Sequence, residues 1–573
     1  MLFYDFETFK YDWLVVIKDT DTKTTTTIVN DPKQLKKFYE KNKDNIWAGY
    51  NSRSYDQYIL KGILCDFNPA DINNHIIIKK LGGWQYSRLL NQIQLYNYDV
   101  MVNKFFGLKQ LEGFMGNDIR ETTVNFNIDR KLTDKELEEV IFYCNHDVEQ
   151  TMQVFVNQIE EFNAHMGLIK TFNLPLKYIN KTKAQLSAMI LGADKKEHDD
   201  EFEYTIVDTI KLDKYNHILE WYKNPLNKDY KKKLDIDVAG VPHTFAWGGL
   251  HGARPKYIGE GLFVNSDVGS FYPSLMLEYD FQSRNINDKS KYRNIYDTRM
   301  KLKHEGKKKE QQPLKIVLNS TYGAMKDKYN NLYDPRQANN VCINGQLMLL
   351  DLIEKLEDKW ELVQSNTDGV MFKLNSKDDL VEYEKICNEW CNRTKMTLEH
   401  DIIKKVVQKD VNNYLIVMDN GKVKSKGAYV KELNKLDNDL PIVNKALKDY
   451  FTKNIPVKDT INNCNDLIEF QKIVKVSGKY KHALHGEKKL DEKVLRVFAS
   501  RSRNDKGVFK VKAPKAEIGK KPQLLDRIEK IANTPERCFI ENGDIKNVKT
   551  PRRLDKQYYI NVANKRIRDF IGE

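Results

Sequence analysis

The sequence predicts a multidomain chain of mixed α/β and α+β class, and three observations lead there. Its 573 residues exceed what one ordinary domain uses. The apolar run Leu262-Phe263-Val264 leads through Asp267 to Phe271-Tyr272-Pro273. That is a strand handing over to a helix, because Pro loses no hydrogen bond in a first helical turn. Residues 361–364 and 370–374 form two further strands around Asn366-Thr367-Asp368-Gly369, where Asp-Gly is a hairpin signal.

Taken in order, the chain opens with Leu2-Phe3-Tyr4 running into Asp5-Phe6-Glu7. Positions i and i+2 of a strand share a face, so both carboxylates look the same way. A second strand over 46–50 precedes Asn51-Ser52-Arg53-Ser54-Tyr55-Asp56. A helix starts at Leu132-Thr133-Asp134-Lys135-Glu136, with Thr133 and Glu136 as a capping box. It places Tyr143 and Asp147 on one face, with Leu137, Ile141, Cys144 and Val148 as its core stripe.

Residues 165–240 are mixed, with a lysine-rich stretch at 228–233. Ala246-Trp247-Gly248-Gly249 is a loop whose glycines permit close backbone approach. After Asp267, a helix over 292–304 carries Arg299 and Lys303 one turn apart, Glu305 to Lys309 form a solvated loop tip, and Pro313 begins the return helix. There Lys315, Asn319 and Tyr322 share a face, and Gly323 is a natural stop. The hairpin presents Arg299, Lys303 and Lys315 on one side, a clamp for a triphosphate. Asp267 and Asp368, brought together from distant strands, can hold two divalent cations about 3.5–4 Å apart. Further on, 412–418 and 424–427 are strand-like, and 494–503 is a strand with arginines at its end. The last helix aligns Ile560, Ala563, Ile567 and Phe570, with Lys565, Arg566 and Arg568 elsewhere.

Composition narrows the partners. With 94 basic and 81 acidic residues the net charge is +13, which suits a polyanion. Seven cysteines without framework spacing argue for a reducing compartment, and Cys387 and Cys391, one turn apart, lack a second pair for zinc. No signal peptide and no bilayer-length apolar run is expected, hence no membrane.

Asp267-x-x-Ser270-Phe271-Tyr272-Pro273-Ser274, Lys315-x-x-x-Asn319-Ser320-x-Tyr322-Gly323 and Thr367-Asp368-Gly369, in this order, resemble the three polymerase motifs of family B DNA polymerases. Asp5-x-Glu7, Asn51-x-x-x-Tyr55-Asp56 and Tyr143-x-x-x-Asp147 resemble the motifs of their 3′–5′ proofreading exonucleases. The resemblance implies a ribonuclease-H-like exonuclease domain over 1–165, a linker and first part of a palm over 166–283, and short helical-hairpin fingers over 284–330. A second part of the palm over 331–435 and a thumb or C-terminal DNA-binding region over 436–573 complete the right hand. It implies template-directed addition of dNTPs to a primer 3′-hydroxyl, with two Mg²⁺ (or Mn²⁺) per active site.

By the same resemblance, Asp5, Glu7, Asp56 and Asp147 hold metal in the exonuclease, and Tyr143 orients the attacking water. Asp267, the backbone of Val268 and Asp368 hold metal in the polymerase. Tyr272 lies under the incoming sugar and excludes a 2′-hydroxyl, and Arg299, Lys303, Lys315, Asn319 and Tyr322 bind the nucleotide. Asn51, Lys109, Gly248, Gly249, Tyr414 and Lys426 contact DNA. The expected partners are primer-template DNA, dNTPs and single-stranded DNA at the exonuclease site, bound by a cytoplasmic monomer.

Three positions depart from the family pattern. Ala246 stands where protein-primed phage members have Tyr, Asn366 where an Asp is usual, and Asn412 where a Lys precedes the Tyr414 position. Only 48 residues separate Asp267 from Lys315, and 45 separate Gly323 from Asp368, little room for the two insertions of the protein-primed enzymes. The motifs begin at residue 3. These features imply a compact phage-type enzyme using a nucleic-acid primer. The alternatives are protein priming, or an exonuclease with a degenerate, DNA-binding polymerase half, toward which Asn366 leans.

Overall fold

The computed structural model describes residues 1–101, 106–514 and 526–572. They form two compact units, one of residues 1–180, 433–443 and 458–561, the other of residues 181–432, 444–457 and 562–573.

The first unit is built on a five-stranded mixed sheet in the order Thr25–Val29, Trp13–Asp19, Leu2–Thr8, Ile46–Gly49, Tyr96–Asp99. The first three strands run antiparallel, and the last two pair parallel. Both faces are covered around the central strands, which are mostly apolar, whereas the edge strand Thr25–Val29 is threonine-rich and largely exposed. One face packs Phe3, Leu14, Val16, Ala48 and Tyr98 against Val140, Cys144 and Val148 of helix Asp134–Asn157. The other packs Tyr4, Phe6, Val15 and Trp47 against Ile59, Leu60 and Ile63 of helix Asp56–Leu64. Each fully buried aliphatic side chain here contributes about 1.5–3 kcal/mol. The capping box expected at the long helix is present, with the Glu136 carboxylate accepting the Thr133 N–H at 2.9 Å.

The same unit contains a three-stranded sheet (Lys472–Lys475, Val494–Ala499, Cys538–Ile540) and a four-stranded one (Lys488–Leu490, His482–His485, Val508–Lys512, Arg527–Lys530). Arg501 and Arg503, beyond the end of strand Val494–Ala499, are exposed. Arg496 within it is fully buried and donates to the carbonyls of Asn117 (2.6 Å) and Gly113 (3.2 Å) and to the Gln471 side chain (3.1 Å). Burial pushes its guanidinium down to about 10. Arg496 therefore anchors helix Leu108–Phe114, which carries Lys109.

The second unit has a nine-stranded antiparallel sheet in the order Val423–Lys426, Asn413–Met418, Leu398–Asp410, Tyr257–Val268, Gly369–Leu374, Glu361–Ser365, His251–Ala253, Val241–Phe245, Leu234–Val238. The strand of Asp267 lies inside it, flanked by Leu398–Asp410 and Gly369–Leu374. Helix Pro335–Leu356 is buried nearly all round, and its buried polar side chains are hydrogen-bonded: Asn340 and Asn344 accept the N–H groups of Thr205 (2.7 Å) and Val207 (2.9 Å), and Asp351 pairs with Arg393.

Helices Ser290–His304 and Lys308–Lys326 form the expected hairpin, with two differences from the sequence reading. The return helix begins at Lys308, so Pro313 lies inside it; the hydrogen bond that Pro313 cannot make leaves only the carbonyl of exposed Lys309 without its helical donor. The helix also runs past Gly323 to Lys326, because Ala324 and Met325 are buried and their packing outweighs the glycine's preference to stop. The seven cysteines form no disulfide with one another. Among the described residues, no helix is long and apolar enough to cross a membrane.

Candidate active site

The first unit gathers carboxylates at the middle of its sheet. Asp5 and Glu7 lie on one face of strand Leu2–Thr8. Asp56, at the start of its helix, accepts the N–H of Phe6 between them at 3.0 Å. The Cys144 thiol donates to the Asp5 carbonyl at 3.3 Å and locks the long helix to the strand, which brings in Asp147 on the next turn. Burial raises all four acids, and their mutual repulsion raises Asp5 and Glu7 further. Asp56 is pushed up to about 7, and Asp147 to about 6, where Lys109 pulls it partly back.

Lys109 sits inside this cluster. Its ammonium pairs with Asp147 and, at 3.0 Å, with Glu112, and lies 4.5 Å from the Tyr143 ring centroid. Burial works against its charge, but Asp147 and Glu112 outweigh burial and hold it above its ordinary value. The half-buried Tyr143 hydroxyl is raised strongly, first by burial and then by Asp147.

Three residues here escaped the sequence reading. Glu112 is fully buried, accepts the Arg120 N–H at 3.2 Å and faces the His146 Nε2 at 3.6 Å. His146 is the second, and Asp99 the third. Asp99 accepts the N–H groups of Arg53 (3.1 Å) and Met101 (2.9 Å), fixing the turn that delivers Asp56. The Lys109-Gln110-Leu111-Glu112 spacing was the available signal for Glu112, but an i, i+3 pair of this kind is usually a surface feature. Asn51 itself is exposed with φ +59°. Two sets of donor atoms each lie within 4.8 Å of one another: Asp5, Glu7 and Cys144, and Glu112, His146 and Asp147.

In the second unit, strand register brings the two distant acids together. Asp267 faces Gly369, and the Val268 N–H donates to the Asp368 carbonyl at 2.7 Å. A Cβ on Gly369 would lie 2.0 Å from Asp267 Oδ1, so glycine is what lets the hairpin turn approach this carboxylate. Burial and the Asp368 charge push Asp267 up to about 6. Burial also raises Asp368, against the nearby Lys426. The buried Oδ1 of Asp267 has no hydrogen-bond donor among the described residues. An orphaned oxygen beside a second carboxylate suits a hard divalent cation. The Asn366 side-chain oxygen accepts the Asp368 N–H at 3.1 Å, an Asx turn that holds the second acid in place.

A cavity of about 410 Å³ opens beside the second acid, lined by Val268, Tyr272, Arg299, Lys315, Asn319, Tyr322 and Asp368 among others. The expected helical register thus holds: Lys315, Asn319 and Tyr322 face one space. The rings of Tyr272 and Tyr322 meet edge to face at 4.5 Å. Arg299 is buried, donates to Ser270 Oγ at 2.7 Å and leaves its Nε without a partner among the described residues. Burial lowers its pKa, so an anion there would be welcome. Lys303 stands apart: it pairs with exposed Glu399 at 2.7 Å.

Asp267 itself lines a smaller recess of about 150 Å³ with Asn265, Gln364, Asn366, Tyr414 and Lys424. Lys426 is exposed on the strand paired with Tyr414. Gly249 packs on the turn of the second acid, since a Cβ there would lie 2.3 Å from Thr367 Oγ1, whereas Gly248 faces open space. Lys326 secures this loop by donating to the Trp247 carbonyl at 2.7 Å.

No family model matches the chain. A stretch of 228 residues is 26% identical to DNA polymerase 1 of Saccharolobus solfataricus, covering 39% of this chain and 23% of that protein. The match therefore spans about a quarter of that relative's length. Over 99% of its length the chain aligns with 77% of a family B DNA polymerase structure from the archaeon Pyrobaculum calidifontis, at 12% identity and a TM-score of 0.43.

Proposed function

We propose that the chain is a DNA-dependent DNA polymerase of the family B type that carries its own 3′–5′ exonuclease. One observation carries the reading: a cavity of about 410 Å³ in which a carboxylate on a hairpin turn faces a buried arginine, a lysine and two tyrosines. A nucleoside triphosphate offers the complement of each. Arg299 and Lys315 take the phosphates and stabilise charge on the departing pyrophosphate. Tyr272, fixed against Tyr322, forms the floor under the sugar, where a 2′-hydroxyl would collide.

Asp267 and Asp368 would hold the divalent cations, and Asp5, Glu7, Asp56 and Asp147 would do so in the other unit. When bound, such cations neutralise the phosphates and activate the attacking oxygen. In synthesis that oxygen is the primer 3′-hydroxyl, which attacks the α-phosphate of the dNTP. In removal of mispaired ends it is a water, which Tyr143 orients while Lys109 balances the charge of Asp147. The short intervals between the polymerase motifs favour an oligonucleotide primer over a protein primer. A degenerate polymerase half draws no support from Asn366, because its side chain is engaged in positioning Asp368.

The test is a labelled primer on a longer template with Mg²⁺, with and without dNTPs, across a salt series. The expected result is extension with dNTPs, shortening without them, and loss of both as salt rises. A chain that neither extends nor shortens the primer at low salt would refute the reading.

A further inference from the structure

Residues 72–98 contain no Asp or Glu, although acids make up 81 of the 573 residues. The stretch instead displays Lys79, Lys80 and Arg88, all exposed. Between them Ile77, Ile78, Leu81, Trp84 and Leu89 are also exposed, Ile78 at 66% and Trp84 at 61% of their surface. Five large apolar side chains left in water so close together mark an interaction surface rather than scattered surface residues.

The surface is built, not loose. Gly82 has no Cβ because the Trp84 indole lies over it; a Cβ there would be 2.5 Å from Nε1. Gly83 likewise presses on the Tyr58 ring, where a Cβ would come within 2.2 Å. The Gly82 N–H donates to Gln85 Oε1 at 2.8 Å, and the Gly82 carbonyl meets His75 Nε2 at 3.1 Å. The indole is therefore held with one face outward. The surface also adjoins the carboxylates: Tyr55, next to Asp56, donates to Asn73 at 2.8 Å, and Asn73 immediately precedes the short π-helical turn Asn74–Ile78 that begins the patch.

We propose that Ile77, Ile78, Lys79, Lys80, Trp84 and Arg88 form a docking face for single-stranded nucleic acid, gripping the strand whose end lies at Asp5, Glu7, Asp56 and Asp147. The proposal rests on the exonuclease reading above and adds a strand-binding surface to it. A fixed indole offers a face on which any base stacks, and three cations track the phosphates, with exposed Asp71 at the rim as the nearest acid in sequence. An anionic membrane also likes Trp and Lys, but a turn of five residues is too short to lay an amphipathic face into a bilayer.

The test uses the full chain and a labelled oligothymidylate of about 12 nucleotides, with EDTA present to stop hydrolysis. Trp84→Ala is expected to weaken binding by about fivefold to tenfold. Lys79→Glu with Lys80→Glu is expected to weaken it further and to lower the salt slope by about 2. Hydrolysis of a trinucleotide with Mg²⁺, whose few phosphates are held at the carboxylates themselves, is expected to match the wild type in both variants. Unchanged oligonucleotide affinity in both variants overturns the proposal. So does a loss confined to co-sedimentation with vesicles of phosphatidylserine and phosphatidylcholine. If the wild type binds through the patch but leaves the trinucleotide intact, the docking face stands and the exonuclease reading falls.

Discussion

The two acid clusters solve different electrostatic problems. In the first unit Asp5, Glu7, Asp56 and Asp147 converge with one internal lysine, Lys109, and their protons are held far above the ordinary carboxylate range. Four acids against one lysine leave this site short of positive charge, which suits cations from outside. In the second unit Asp368, next to Asp267 through the strand register, lines a cavity that also carries Arg299 and Lys315. That site already holds both signs, spaced to leave room for a polyanion between them.

Substitutions that act on one cluster alone test this contrast. The largest effect is expected from Gly369→Ala, whose Cβ would lie 2.0 Å from Asp267 Oδ1. Displacing a carboxylate by that much should cut primer extension by about 100-fold while leaving strand degradation intact. Glu112→Gln comes next. It keeps a hydrogen bond to Lys109 but removes the charge that holds it, so strand degradation should fall about tenfold, in kcat rather than KM, with extension unchanged. Asn366→Asp should change extension by less than about threefold, because either oxygen can accept the Asp368 N–H, whereas Asn366→Ala should lose more.

The smallest effect concerns stability. The folded pKa values of Asp56 and Asp147, about 7 and about 6, lie above those of the unfolded chain. Their contribution is therefore fully present below about pH 4 and is lost as pH rises through 6 and 7. Without divalent ions the melting temperature should fall between pH 5 and pH 8. Because Mg²⁺ binds the ionised acids, the rise in melting temperature on adding it should be larger at pH 8. Scanning calorimetry at both pH values checks this, and an equal rise at both would count against the first cluster as a metal site.

Much of this was legible in the sequence because it rests on local chemistry. The Thr133–Glu136 box, the Asp-Gly hairpin and the i, i+4, i+7 register of Lys315, Asn319 and Tyr322 are short-range patterns whose consequences hold in any fold. What escaped depends on packing. Glu112 looks like the partner of a surface lysine until the strand Lys472–Lys475 covers its helix, with Ile473 against Gly113. Arg496 sits within an apolar strand, and nothing local tells that its guanidinium donates to the carbonyls of Gly113 and Asn117. Gly323 looks like a helix stop until Ala324 and Met325 find a core. Asn366 read as a weakened metal ligand; its role became visible only in the turn that it caps. Lys303 shares a helix face with Arg299 in the sequence, yet an acid on a neighbouring strand, Glu399, claims it.

The central claim is that the clusters of the two units carry separate reactions. One labelled primer-template, incubated with Mg²⁺ and dNTPs or with Mg²⁺ alone, tests it most directly with Asp368→Ala and Asp5→Ala side by side. The account predicts that Asp368→Ala shortens the primer but never extends it, and that Asp5→Ala extends it but no longer shortens it. Robust extension by Asp368→Ala, or undiminished shortening by Asp5→Ala, would contradict it.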